Sequence, residues 1–213
     1  MDFFRGAVEL YWLHGAFYWI LLKHIEIIAT LTGFIYLLYS IAGDKKLWLF
    51  GLISSSLYVY ICYAAGIYAD MGINIYYVLV SIYGWAHWAF YHNGATVSEM
   101  PYSRAKAREW LLLAAFTGAI YVVLVFVLKK FTNSTIPYID SFTTALSVTA
   151  TWMLARKMVE HWLVWIVVDS ISAGLYIYKG LYPTSFLFGV YTVLALSGYK
   201  RWIFKWKEQL RKL

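Results

Sequence analysis

The residue with the most chemical consequence in this chain of 213 residues is an acid, Asp169, seven positions into an apolar run that begins at Trp162. In a helix surrounded by lipid, a carboxylate at that depth costs at least about 2.5 kcal/mol, so it is paired, solvated in a cavity or used to hold a ligand. Trp165 precedes it by four residues, which places both on one helical face. Trp162, Ser172 and Tyr176 fall on or beside the same stripe. A carboxylate next to a stacking surface suits a flat, cationic, hydrogen-bonding ligand, attracted by direct charge and by the ring quadrupoles. In a separate run Asn74, followed by Tyr76 and Tyr77, can hydrogen-bond an amide or a ring nitrogen. Ser55 stands in the stretch Ser54 to Ser56. Those serines, like Ser170 to Gly174, equally permit close helix approach, and any single Trp or Tyr outside the Trp165 stripe equally suits an interfacial belt or helix packing.

Enzyme chemistry finds little support. The histidines His14, His24, His87, His92 and His161 fall near the ends of apolar runs, and no His-Glu-x-x-His, Gly-x-Ser-x-Gly or phosphate-loop motif occurs. Cys62 is the one cysteine, so an intrachain disulfide and a thiolate metal site are both excluded. No metal or cofactor is expected. A retinal protein needs a lysine inside its seventh span, and here Lys200 lies at the end.

The elements that must position these residues are membrane helices. With 62% hydrophobic, 21% aromatic and 14% charged residues, against about 25% charged in a soluble domain, an ordinary soluble fold is excluded. Seven apolar runs have the character of transmembrane helices: Ile27 to Ala42, Leu47 to Ala65, Gly72 to Tyr91, Trp110 to Leu128, Ser141 to Leu154, Trp162 to Tyr178 and Thr184 to Tyr199. Residues 1–25, interrupted by Arg5, Glu9, His14 and Lys23, read as an interfacial amphipathic helix. Glu26 and Asp140 are expected in first helical turns, where a carboxylate complements the helix dipole. Alternating the seven spans puts 13 Lys and Arg residues on one side and 5 on the other, so the carboxyl terminus is expected in the cytoplasm and the amino terminus outside. The net charge of +7 is explained by basic residues flanking the spans, beside anionic lipid, with no nucleic-acid partner.

An internal repeat orders the runs. Shifting Trp48 to Trp88 by 114 positions lays it on Trp162 to Trp202 without a gap, with eight identities in 41 positions. The identities are Trp48/Trp162, Leu49/Leu163, Ser56/Ser170, Gly66/Gly180, Tyr68/Tyr182, Tyr77/Tyr191, Gly84/Gly198 and Trp88/Trp202. The same offset pairs Thr30 with Thr144 and Ser55 with Asp169. A single run lies between the triplets, so both enter the membrane in the same direction: a 3+1+3 parallel repeat, the arrangement of SWEET sugar transporters, with substrate held near mid-membrane between the halves. Residues 26–91 form the first repeat, 92–136 a cytoplasmic loop and linker helix, 137–202 the second repeat and 203–213 a basic cytoplasmic tail.

The stretches Asn74-Ile75-Tyr76-Tyr77 to Ser81-Ile82-Tyr83-Gly84-Trp85, Asp140 to Ser147, Arg156-Lys157 through Glu160-His161-Trp162-Leu163-Val164-Trp165, and Lys179-Gly180-Leu181-Tyr182 resemble the PnuC vitamin transporter family over Glu26 to Trp202. The resemblance implies a seven-helix relative of the SWEET fold, often a homotrimer, in the bacterial inner membrane. Each protomer would carry a vitamin by facilitated diffusion, trapped inside as a phosphate ester. It also implies that the tryptophan at Trp165 and the polar residues at Asn74 and Asp169 line the pocket. Asn74 stands where the family's nicotinamide riboside carriers are expected to have glutamine, and Asp169 where they are expected to have asparagine. Nicotinamide riboside is the expected cargo; thiamine, also flat and cationic, is the alternative, and a membrane-embedded enzyme or receptor subunit is the rival from another class.

Overall fold

The computed structural model describes residues 2–93, 96–97, 99–132 and 135–212, with side chains described outside 2–21, 92–93 and 96–97. These residues form α1 (Asp2–Ala42), α2 (Leu47–Ala64), α3 (Tyr68–Ala89), α4 (Ala107–Phe131), α5 (Pro137–Ala155), α6 (His161–Tyr178) and α7 (Tyr182–Arg211). A two-stranded antiparallel hairpin, β1 (His92–Asn93) with β2 (Thr96–Val97), follows α3. Among the described residues four helices are long and apolar enough to cross a membrane by themselves: Leu22–Ala42 within α1, α2, α4 and α6. In α3, α5 and α7 polar side chains interrupt the apolar pattern, and neighbouring helices cover them; Ser81, Ser141, Ser147, Thr149, Thr151 and Ser185 are all buried. On α4 the pattern is inverted. Leu111, Leu112, Val122, Val123 and Phe126 are exposed while Leu113 is buried, the surface expected of a helix whose surroundings are hydrocarbon.

Several boundaries differ from those expected. α1 runs unbroken from Asp2, so the backbone has no joint between residues 1–25 and the first span; the side chains of Arg5, Glu9, His14 and His92 lie outside the described residues. Glu26 is therefore inside a helix rather than at its start, and it forms an ion pair with Lys23 at 2.9 Å. Asp140 does occupy the first turn of α5. Residues 203–211 of the expected tail continue α7 as helix.

The helix ends repeat as the sequence does. Gly43, after α1, has φ +69°; its N–H donates to the Ser40 carbonyl at 3.0 Å, and that of Asp44 to the Tyr39 carbonyl at 3.1 Å. This is a left-handed cap that glycine adopts without strain. At the position 114 residues later stands Lys157, with φ 54° and the same two bonds, to Leu154 at 2.8 Å and Met153 at 3.0 Å. A left-handed backbone costs a lysine roughly 1–2 kcal/mol.

α1–α3 pack in sequence, α5–α7 do likewise, and α4 lies against α5. The two triplets meet crosswise, α3 on α5 and α1 on α7. Four buried indoles join them. Trp48 meets Trp88 edge-on at 5.6 Å, Trp162 meets Trp202 edge-on at 6.0 Å, and Trp88 lies 6.2 Å from Trp202. Trp88 Nε1 donates to the Ala155 carbonyl of α5, and Trp202 Nε1 to the Ser40 carbonyl of α1, both at 3.0 Å. Trp48 and Trp162 each lie flat against a glycine. A Cβ on Gly84 would come within 2.5 Å of Trp48, and one on Gly198 within 2.6 Å of Trp162.

The loop after the hairpin is strapped down beside this cluster. Ser103 pairs with the α5–α6 turn through two 3.0 Å bonds, from its N–H to Lys157 and to its carbonyl from Val159. Arg104 forms an ion pair with buried Glu160, and Tyr102 N–H donates to Gln209 Oε1 on α7 at 2.8 Å.

Gly84→Ala and Gly198→Ala are each expected to lower stability by about 1–3 kcal/mol, because a fully buried indole has nowhere to retreat. Gly189→Ala on α7, where an added Cβ meets nothing within 4 Å, is expected to leave the midpoint unchanged or higher. Thermal unfolding of the three variants in detergent checks the contrast.

Candidate functional site

Between the triplets, on the far side of the indole cluster from the chain's polar loops, lies a cavity of about 210 Å³. Its wall from α1–α3 is the richer one. α1 gives Gly33 and Tyr36, α2 gives Gly51, Ser54, Ser55 and Tyr58, and α3 gives Asn74, Tyr77 and Ser81; Thr151 of α5 and Trp165 of α6 close it from across. Of the residues singled out in the sequence, Trp165, Asn74, Tyr77 and Ser55 thus come together around one space.

The others are placed nearby with different partners. Tyr76 adjoins Tyr77, ring to ring at 5.6 Å, and donates its hydroxyl to the Val148 carbonyl of α5 at 2.9 Å, bracing the wall. Trp162 is in the indole cluster, off the cavity lining. Tyr176 stacks on Phe188 at 5.3 Å, and Ser172 is buried further along α6. Asp169 is buried one turn beyond Trp165 and is not among the lining residues.

Tyr36, Tyr58, Ser81 and Thr151 were not singled out in the sequence, yet a signal for the first was there. At the repeat offset Gly51 matches Trp165 and Tyr36 matches Ala150. Bulk has changed helices. A Cβ on Gly51 would lie 2.9 Å from the Tyr36 ring and 3.1 Å from Ser81 Oγ, so Tyr36 fills the space on its side that an indole takes on the other. Polarity has been divided in the same way: Ser54, Asn74 and Ser81 correspond to Val168, Phe188 and Ala195. One half supplies most of the hydroxyls and an amide, and the other supplies an indole and the Thr151 hydroxyl.

Several polar groups of the lining are anchored by main-chain carbonyls, Ser54 across to α1 and Thr151 and Asn74 within their own helices. Ser54 Oγ donates to the Ala29 carbonyl at 2.8 Å, Thr151 Oγ1 to Ser147 at 2.8 Å, and Asn74 Nδ2 to Asp70 at 2.9 Å. The last bond leaves the Asn74 amide oxygen as an acceptor. Tyr58 shares a 3.2 Å hydrogen bond with Thr30. Among the described residues no group of three or more His, Cys, Asp or Glu side chains converges on a metal position. His161, fully buried at the start of α6, lies 4.6 Å from both Trp162 and Trp202, with Nδ1 2.7 Å from the Met158 carbonyl; it belongs to the cluster. The cavity has the makings of a binding site for a planar aromatic molecule with hydrogen-bonding edges.

A family model described as nicotinamide mononucleotide transporter matches residues 23–204, a stretch that reaches into all seven helices. The chain belongs to this family of PnuC transporters. The nicotinamide riboside transporter PnuC of Escherichia coli is 26% identical over 213 residues, with 88% of each chain covered. PnuC of Neisseria mucosa is 29% identical, covering 82% of this chain and 70% of its own. The riboflavin/roseoflavin transporter RibM of Streptomyces davaonensis is 24% identical over 90% of this chain and 91% of its own. A crystal structure of the vitamin B3 transporter PnuC superposes with a TM-score of 0.67 at 27% identity, covering 87% of this chain and 83% of that one. These relatives are membrane transporters, not enzymes, and the all-helical fold of this chain is that of a multi-pass PnuC protein.

Trp165→Ala is expected to weaken binding of a planar aromatic cation by about 1–3 kcal/mol, whereas Tyr176→Ala, whose ring is engaged with Phe188, leaves affinity within about threefold. Isothermal titration of the purified variants checks both.

Proposed function

We propose that this chain carries nicotinamide riboside across the bacterial inner membrane, holding it in the cavity between the two helix triplets. The observation that carries this reading is the pairing of Trp165 with the polar wall of Asn74, Ser55 and Tyr77 around one cavity. A pyridinium ring stacks against the indole, and amide and ribose hydroxyls meet the wall. The names of the relatives in Escherichia coli and Neisseria mucosa point to the same cargo. Tyr76, Trp162, Ser172 and Tyr176 set the wall positions from behind. Asp169, one turn from Trp165, supplies the negative field that favours a cation over a neutral ring.

In this reading the triplets form a 3+1+3 parallel repeat of the SWEET kind, supported by the crosswise contacts α3–α5 and α1–α7 and by the indole–glycine pairs at one offset. The halves rock about the cavity and cargo moves down its gradient, with cytoplasmic phosphorylation to a phosphate ester preventing its return. The excess of Lys and Arg on one side puts the carboxyl terminus in the cytoplasm and the amino terminus outside. Residues 1–25 extend α1 along or beyond the interface, since 41 residues at about 1.5 Å each exceed a ~30 Å hydrocarbon core. Protomers associate as homotrimers within the lipid.

Proteoliposomes loaded with unlabelled nicotinamide riboside are expected to accumulate the labelled compound transiently by counterflow, chemically unchanged. Titration with nicotinamide riboside, thiamine and riboflavin side by side is expected to rank the first tightest. Counterflow with thiamine alone would transfer the reading to that vitamin, and chemical conversion of the label would identify an enzyme instead.

A further inference from the structure

A second cavity, of about 880 Å³, opens at the end of the molecule where α1 and α3 finish. Five lysines face it: Lys45 and Lys46 after α1, Lys157 from the α5–α6 turn, Lys205 on α7 and Lys212 just after it. Three carboxylates accompany them. Glu208 is held by Lys212 at 2.9 Å, and Asp44 accepts the backbone N–H of Lys46 at 2.8 Å; Glu99 also lines the cavity, and its charge, like that of Asp44, acts on Lys157 and Lys205.

Lys157 and Lys205 have no carboxylate partner at ion-pair distance among the described residues. Lys157 Nζ donates to the Met100 carbonyl at 2.8 Å and sits 4.6 Å from the rings of both Trp88 and Tyr102. Lys205 Nζ donates to the Ala42 carbonyl and lies 5.7 Å from the same Tyr102 ring. An ammonium has three donors, so each has spent one of three. Lys157 is only 5% exposed, and burial pulls its ammonium down to about 8. Its backbone is in the left-handed region at the position where the other half has Gly43. The turn itself is better served by glycine. What lysine adds there is a buried cation at a cavity wall, and a strained residue that the fold retains points to a use.

We propose that this cavity is a regulatory site for a phosphate monoester, whose terminal oxygens take the unspent donors of Lys157 and Lys205 while Lys45 and Lys46 attract it from the rim. A monoester dianion matches an excess of ammonium groups over carboxylates and takes several donors at once. The occupant bridges α1 of one triplet to α7 and the α5–α6 turn of the other, at the end closed by the indole cluster, so it holds that end shut. That this restrains uptake, as feedback from a trapped cargo ester, rests on the carrier reading above; that the site binds the anion does not.

The test is titration of the full chain in neutral detergent with ribose 5-phosphate and with ribose, and in mixed micelles with phosphatidic acid and with phosphatidylcholine. Ribose 5-phosphate is expected to bind where ribose does not, and Lys205→Gln and Lys157→Gly to weaken it by about tenfold or more. Lys157→Gly suits the backbone and so is expected to fold; if it does not, Lys45→Gln takes its place beside Lys205→Gln. Binding of phosphatidic acid alone would support the site with lipid as its source and remove the soluble ester. Binding of neither, or equal binding by parent and variants, would overturn the proposal. In counterflow, ribose 5-phosphate on the lysine-rich side is expected to slow the parent and spare Lys205→Gln. Loss of counterflow with ester binding intact overturns the carrier reading and leaves the anion site standing.

Discussion

The architecture depends on two indoles seated against two glycines. Trp48 on Gly84 and Trp162 on Gly198 fix how closely α2 approaches α3 and α6 approaches α7, and neither contact tolerates one added methyl group. Trp88 and Trp202 then carry that geometry across the molecule, each giving its N–H to a main-chain carbonyl in the opposite triplet. Both carbonyls lie at helix ends, that of Ser40 also accepting the Gly43 N–H, and an indole N–H is a donor that a dry interior needs to place. The four indoles together therefore close the helix pairs and join the triplets. The cavity is what lies between the triplets where that cluster stops.

Residues matched at the 114-residue offset would make like walls unless they differ, and here they differ in a complementary manner. Tyr36 opposite Gly51 and Trp165 at the place of Gly51 exchange bulk between neighbouring helices. The hydroxyls and amide of Ser54, Asn74 and Ser81 on one wall correspond at the repeat offset to Val168, Phe188 and Ala195, which do not line the cavity. A symmetric pocket would suit a symmetric guest. This one has an aromatic face and a hydrogen-bonding face, which suits a ring joined to a sugar.

Much of this was legible in the sequence because membrane helices obey simple constraints. Composition and run length gave the helices, and the constant offset paired Trp with Trp and Gly with Gly. Trp165, Asn74, Tyr77 and Ser55 were legible as polar or stacking groups inside apolar runs. Tyr36 and Thr151 were not, because one Tyr or Thr on a helix looks the same whether it faces lipid, a neighbour or a cavity. Asp169 shows the limit from the other side: its cost in lipid marks it out at once, yet one helical turn separates it from the lining, and sequence does not resolve a turn. Glu26 reads as a helix start because a charged residue looks like a boundary, whereas α1 carries it as helix. The strained backbone at Lys157 was visible only as the partner of Gly43.

The central claim is that a planar cargo is held against Trp165 between the triplets. A structure of the chain solved with nicotinamide riboside tests it most directly. The account predicts the pyridinium ring stacked on Trp165 with its amide near Asn74. A ring found outside this cavity, or a cavity closed with the cargo bound elsewhere, would contradict it.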